Sequence, residues 1–201
     1  MLPDGGAAGK GPSCGGAGRA TLRRMLLTAP DSVLALVDFQ GRLMPAIDHG
    51  SWVQSRALLL ARAARLLSVP VLATEQNPAG LGHTAADLAA QVDRTVEKSC
   101  FDSCRAPDFL SVLPEGRRTI VLAGVEAHVC VLQTAFGLKA AGYRAVIAAD
   151  AVGSRRAADK EAGLARMRAA GIEVVTAEMA VFEWLEDCAH PHFREALKLI
   201  R

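Results

Sequence analysis

Three residues far apart in this chain carry side chains that could together move a proton and attack a carbonyl: Asp38, Lys98 and Cys130. A thiol attacking an amide carbonyl needs a base to receive its proton, and that proton must later reach the departing amine. A carboxylate beside the sulfur can do both. An ammonium beside both groups lowers the thiol pKa and keeps the carboxylate ionised. Taken singly, each residue has a plainer reading. A cysteine is often a buried structural residue, an aspartate closing an apolar run can be a strand-end cap, and a lone lysine is usually solvated.

The surroundings of Cys130 favour chemistry. The segment Gly124-Val125-Glu126-Ala127-His128-Val129-Cys130-Val131 follows an apolar run and opens a helical pattern. A cysteine there faces the positive end of a helix dipole, which favours thiolate over thiol. Backbone amides at such a turn could hold a developing oxyanion. His128 is two residues from the thiol, a spacing that puts neighbours on different helix faces, so it is expected to be a wall or surface residue.

Other polar combinations are weaker. The chain has five cysteines, and Cys100 and Cys104 stand four apart. No second pair or nearby His couple completes a four-ligand zinc site. Asp48-His49 reads as a solvated loop. No metal and no other cofactor is expected.

The elements that would position the trio follow from apolar runs. Val33–Val37, Val69–Ala73, Thr119–Ala123, Ala145–Ala149 and Ile172–Val175 are short and continuous, as in strands covered on both faces, with a weaker run at Thr95–Glu97. Helical spacing occupies 52–67, 129–141, 157–170 and 191–200, with Gly142 and Gly171 as C-terminal caps and Pro191 at a helix start. Strands alternating with helices imply an α/β fold: a three-layer α-β-α sandwich with a mostly parallel, Rossmann-like sheet of about six strands. In such sheets ligands bind beyond the carboxyl ends of the strands. Asp38, Glu75, Lys98, Gly124 and Asp150 sit at or after those ends, so they can converge despite their separation in sequence.

Residues 1–28 are read as a disordered Gly/Ala-rich tail and 29–201 as one domain. Half of the 201 residues are hydrophobic but only 4% are aromatic, so the core must be built mostly from Ala, Val and Leu. The formal net charge is +2, and Lys10, Arg19, Arg23 and Arg24 against Asp4 leave the remainder nearly neutral. That argues against an extended phosphate-binding surface. The expected partner is a small molecule, with no nucleic acid and no membrane. No apolar run has the length of a membrane span, and an odd cysteine count without disulfide density suits a reducing, cytoplasmic compartment.

Four ordered segments resemble the isochorismatase-like cysteine hydrolases, and within them the isochorismatase domain-containing proteins. Asp38-Phe39-Gln40 is similar to their "D-x-Q" element, Lys98-Ser99-Cys100-Phe101 to "K-x-x-F", Gly124–Val131 to "G-x-x-x-x-x-C-V", and Asp150–Ser154 to "D-A-x-x-S". Thr74–Gly82 and His190–Phe193 add the "T-E-Q-x-P-x-G-L-G" loop and the "H-P-x-F" tail. The resemblance implies Cys130 as nucleophile, Asp38 as general base and acid, and Lys98 as their charged partner. It also implies a cis peptide between Val125 and Glu126 that turns the Glu126 amide toward an oxyanion, beside that of Cys130. Ala127 stands where many members carry Thr, and Glu126 where a small residue is common, so the Glu126 side chain is expected to shape the pocket. Nicotinamidase members bind a metal through one Asp and two His after the second strand; here Gln76, Asn77 and Pro78 take that region and His83 is alone.

The expected activity is hydrolysis of a small amide-type C–N bond through a thioester. Phe39, Gln76 and Phe101 are expected to line the substrate pocket, with core packing an equal alternative for the two Phe residues. Two other readings stay open: an isochorismatase-type vinyl ether hydrolase, which needs the aspartate but no thiol, and a silent interaction protein on the same fold. Like the family, the chain is expected to form a homo-oligomer, a dimer or larger.

Overall fold

A computed structural model describes residues 25–200. Among them, six strands form a single parallel sheet in the order β3-β2-β1-β4-β5-β6. The strands are β1 (Ser32–Val37), β2 (Val71–Gln76), β3 (Arg94–Lys98), β4 (Thr119–Val125), β5 (Arg144–Gly153) and β6 (Glu173–Val175). The helices are α1 (Gly50–Leu66), the one-turn α2 (Pro78–Leu81) and α3 (Ala86–Ala89), α4 (Leu132–Ala140), α5 (Ala157–Ala169), α6 (Ala177–Leu185) and α7 (Phe193–Ile200). The sheet is parallel throughout, and helices cover both faces, as expected.

The continuous apolar runs are explained by two separate cores. Every residue of β1 is buried. Successive side chains point to opposite faces, so Leu34 and Leu36 join one cluster while Val33, Ala35 and Val37 join the other. β4 does the same with Val121 and Ala123 against Ile120 and Leu122. On the first face, α1 presents Val53, Ala57, Leu60, Ala61 and Ala64 beside Val181 and Trp184 of α6. Small alanines let the helix lie close to the sheet, which is how a core poor in aromatics is filled. The second face is covered by Ala135 and Leu138 of α4, Leu164 and Met167 of α5, and Phe109.

Several boundaries differ from expectation. α6 has no counterpart in the sequence reading, although Thr176 caps it by accepting the Met179 amide at 3.2 Å and its buried residues keep helical spacing. Strand β5 runs four residues past its expected end, so Asp150 lies within the strand. The packed body also begins before residue 29. Leu27 is buried, and its amide donates to Glu183 at 2.7 Å. The rest of the expected tail, residues 1–24, lies outside the described residues. No described helix is long and apolar enough to cross a membrane.

The strand order reverses between β1 and β4, which run parallel but whose following crossovers depart to opposite sides of the sheet. Their carboxyl ends meet at Val37 and Gly124, which are paired in register. A Cβ on Gly124 would lie 2.4 Å from the Val37 carbonyl oxygen, and its φ is 150°. Only glycine lets the two strand ends close here. This junction places Asp38 beside the turn that carries Cys130.

Candidate active site

Asp38 leaves β1 with φ 56°, a left-handed conformation. Among non-glycine residues, Asp is one of the few that adopt it readily. Its amide donates to the Thr74 carbonyl at 3.1 Å. Its side chain is wholly buried, and each carboxylate oxygen has a donor: Thr74 Oγ1 reaches Oδ1 at 2.7 Å, and Lys98 Nζ reaches Oδ2 at 2.7 Å.

Lys98 ends β3, one strand beyond β2, and its side chain is also wholly buried. A second bond from Nζ goes to Gln76 Oε1 at 2.9 Å. The Gln76 amide nitrogen in turn donates to the Ser99 carbonyl at 2.7 Å. Gln76 is therefore a partner of Lys98 as well as a wall of the space beside it. A shallow cavity bounded by Gln76, Asn77, Pro78, Glu97, Lys98 and Ser99 opens beside this contact. A second cavity, with Asp31, Arg118 and Arg144, lies at the amino ends of the strands, remote from the trio.

Cys130 sits in a π-helical turn, Ala127–Val131, that continues into α4. It is 7% exposed. Its sulfur lies where the charges of Asp38 and Lys98 and the backbone amide of Glu126 act on it. The structure thus brings the three expected residues together. Burial and the neighbouring carboxylate push the thiol up to about 12, outweighing the opposing pull of Lys98 and the Glu126 amide. Burial thus opposes the thiolate that the sequence led one to expect. The helix terminus and the cation are present, but desolvation and a like charge win.

The Val125–Glu126 peptide bond is cis. The Glu126 carboxylate turns to the Arg155 amide at 2.9 Å and to the Arg155 Nε at 3.1 Å. Its side chain is tied to the loop after β5, so the backbone amide is the part of Glu126 that meets the sulfur.

The remaining expected site residues are placed as follows. Phe39 is fully buried in the core with Leu34 and Leu36, the packing alternative. Phe101 is 51% exposed on the loop after β3. His128 is half-buried and bonds Ser154 Oγ at 3.0 Å through Nδ1. Glu75 points away from Asp38, as alternation along β2 requires, and is held low by bonds from Thr84 and His83 despite its burial. Asp150 is occupied by Arg56 at 2.8 Å and by the Ala177 amide at 2.7 Å. Neither Glu75 nor Asp150 joins the trio. Among the described residues no group of three or more His, Cys, Asp or Glu side chains could hold a metal.

Sequence reasoning missed the supports. Thr74 holds Asp38. Gln40 donates to the Gln76 and Gly82 carbonyls at 3.1 and 2.5 Å and accepts the Gln76 amide at 2.8 Å, pinning the loop after β2. Thr134 Oγ1 accepts the Ser103 amide at 3.0 Å and donates to Ser103 Oγ at 2.9 Å, docking the loop after Lys98 onto the helix after Cys130. The "D-x-Q" spacing was a signal for Gln40; nothing in the sequence marks Ser103 and Thr134 as partners.

The chain is similar in sequence and fold to known proteins. The isochorismatase domain family model matches residues 32–179. A curated relative, isochorismatase domain-containing protein 2A of Mus musculus, is 38% identical over 188 residues, covering 92% of this chain and 89% of the relative. The structure described as a MAR1 ribonuclease from Caenorhabditis elegans is 32% identical with a TM-score of 0.82, covering 87% of this chain and 92% of that one. The YcaC gene product of Escherichia coli, described as an octameric hydrolase of unknown specificity, shares the fold with a TM-score of 0.81 at 22% identity, covering 87% and 89% of the two chains. With the family model matched across all six strands and such identity extending over nine-tenths of the sequence, the chain belongs to the isochorismatase family.

Proposed function

We propose that the protein is a cysteine hydrolase that cleaves a small amide-type C–N bond through a thioester on Cys130. The observation that carries this reading is the buried Asp38–Lys98 pair with the Cys130 sulfur within reach of its charges. A neutral thiol beside a carboxylate needs no standing charge: it is deprotonated as it attacks. Asp38 accepts the hydrogen while the sulfur bonds to the carbonyl carbon. The amides of Glu126 and Cys130 receive the oxyanion. As the C–N bond breaks, Asp38 returns the proton to the departing nitrogen. Asp38 then takes a proton from water, which attacks the thioester, and the sulfur leaves as thiol with that proton. Lys98 keeps Asp38 oriented and offsets negative charge on sulfur while it lasts.

The test is a product assay on a panel of small amides, ureides and carbamoyl compounds, run beside isochorismate and RNA. Amine or ammonia release that disappears in Cys130→Ala supports the reading. Pyruvate release from isochorismate retained by Cys130→Ala would favour vinyl ether chemistry. Cleavage of RNA, the activity named for the C. elegans neighbour, with no turnover of amides would contradict the proposal.

A further inference from the structure

We infer that Thr74 is a positioning residue for the Asp38 carboxylate, fixing its orientation and how strongly it holds the proton taken from Cys130. The inference rests on the reading of Asp38 as the base and adds a residue to that machinery. Thr74 is 1% exposed, and its side chain donates to Asp38 Oδ1 at 2.7 Å. A hydroxyl has one hydrogen to give, and a buried threonine on a strand commonly gives it to a backbone carbonyl. Here it goes to the carboxylate.

The backbone reinforces the same alignment. Thr74 is paired in register with Val37, and its carbonyl accepts the Asp38 amide at 3.1 Å. One residue of β2 thus grips Asp38 at both ends. Two positions further along the same face, Gln76 grips Lys98. Alternation along β2 therefore supplies one support to each member of the buried pair, and Glu75 between them serves the loop on the other face.

Each donor to a carboxylate favours its charged form. Lys98 supplies one on Oδ2 and Thr74 the other on Oδ1. The charged or titratable groups facing Asp38 are Lys98 from β3 and Cys130 from the π-helical turn. With Thr74's donor removed, the charged carboxylate keeps the Lys98 bond on Oδ2 and loses the one that fixes Oδ1.

The experiment follows the rate of Cys130 alkylation by iodoacetamide against pH in the full-length protein. Substrate identity is not needed. In Thr74→Val the acid limb of the profile moves upward by on the order of one pH unit. Thr74→Ala, which removes the same donor with less bulk, moves it likewise and carries the test should the valine variant fold poorly. Thr74→Ser restores the original limb. A limb that stays in place in Val and Ala, with the rate lowered equally at every pH, would overturn the inference and leave Thr74 a packing residue. A limb that is unaltered in Asp38→Asn would instead overturn the base assignment on which it rests.

Discussion

Lys98 Nζ stands 2.7 Å from Asp38 Oδ2 with both side chains wholly removed from solvent. A buried pair of this kind adds little net stability, because desolvating two charges offsets their attraction. Leaving one charge without its partner is far more costly. Lys98→Met should therefore destabilise the fold by about 3–5 kcal/mol, and Asp38→Asn should destabilise it too. The double variant Asp38→Asn with Lys98→Met should lose clearly less than the sum of the single losses. Urea unfolding of the wild type, both single variants and the double variant checks this.

The tight junction of β1 and β4 makes a second expectation. The Cβ of Gly124→Ala would meet Val37 backbone and side chain at 2.4 and 2.6 Å. Neither can swing aside, since both belong to a central strand. A loss of roughly 2–3 kcal/mol is expected, together with slower Cys130 alkylation, because Asp38 follows Val37 directly. Thermal melts and alkylation rates measured on one sample report both.

A third concerns the loop that carries Lys98 toward its partners. Thr134 and Ser103 are both wholly buried, and Thr134 is the acceptor for the Ser103 amide. Thr134→Val keeps the shape and removes the acceptor, which should cost about 1–3 kcal/mol. Thr134→Ser should recover most of it. Chemical denaturation of the two variants distinguishes the lost bond from lost packing.

The thiols set a pH dependence. Burial first, then neighbouring negative charge, pushes both Cys104 and Cys130 up from 9.0 to about 12. A folded pKa above the unfolded one means that the stabilising difference is intact below the unfolded value and is lost as pH rises toward the folded value. The stability gap between wild type and Cys104→Ala should hence shift against the wild type between pH 9 and about 12. Unfolding midpoints collected across that range for both proteins test the sign.

How much of this could be read without coordinates depended on the kind of interaction. Strands β1 and β4 announced themselves because a run buried on both faces has no polar interruptions, and the trio could be named because its members lie at or after strand ends within motifs that resemble a known family. Thr74, Ser103 and Thr134 were invisible as supports, since a hydroxyl's partner is set by which strand or helix lies beside it. Gln76 was legible as polar and close to the site, but its direction toward Lys98 followed from the alternation of β2. The opposition of burial to a Cys130 thiolate could not be foreseen, because helix terminus and cation can be read from sequence order, whereas the depth of burial cannot. Helix α6 escaped notice although Thr176 and the spacing of Ala177, Ala180, Val181 and Trp184 carried its signal.

The central claim, an acyl group carried on Cys130, is tested most directly by intact-mass analysis of protein quenched during turnover of an amide from the panel. The expected result is a mass gain equal to the acyl group, mapped by peptide analysis to Cys130 and missing from Cys130→Ala. Turnover by the alanine variant at the wild-type rate, or an acyl group mapped to another residue, would contradict the account.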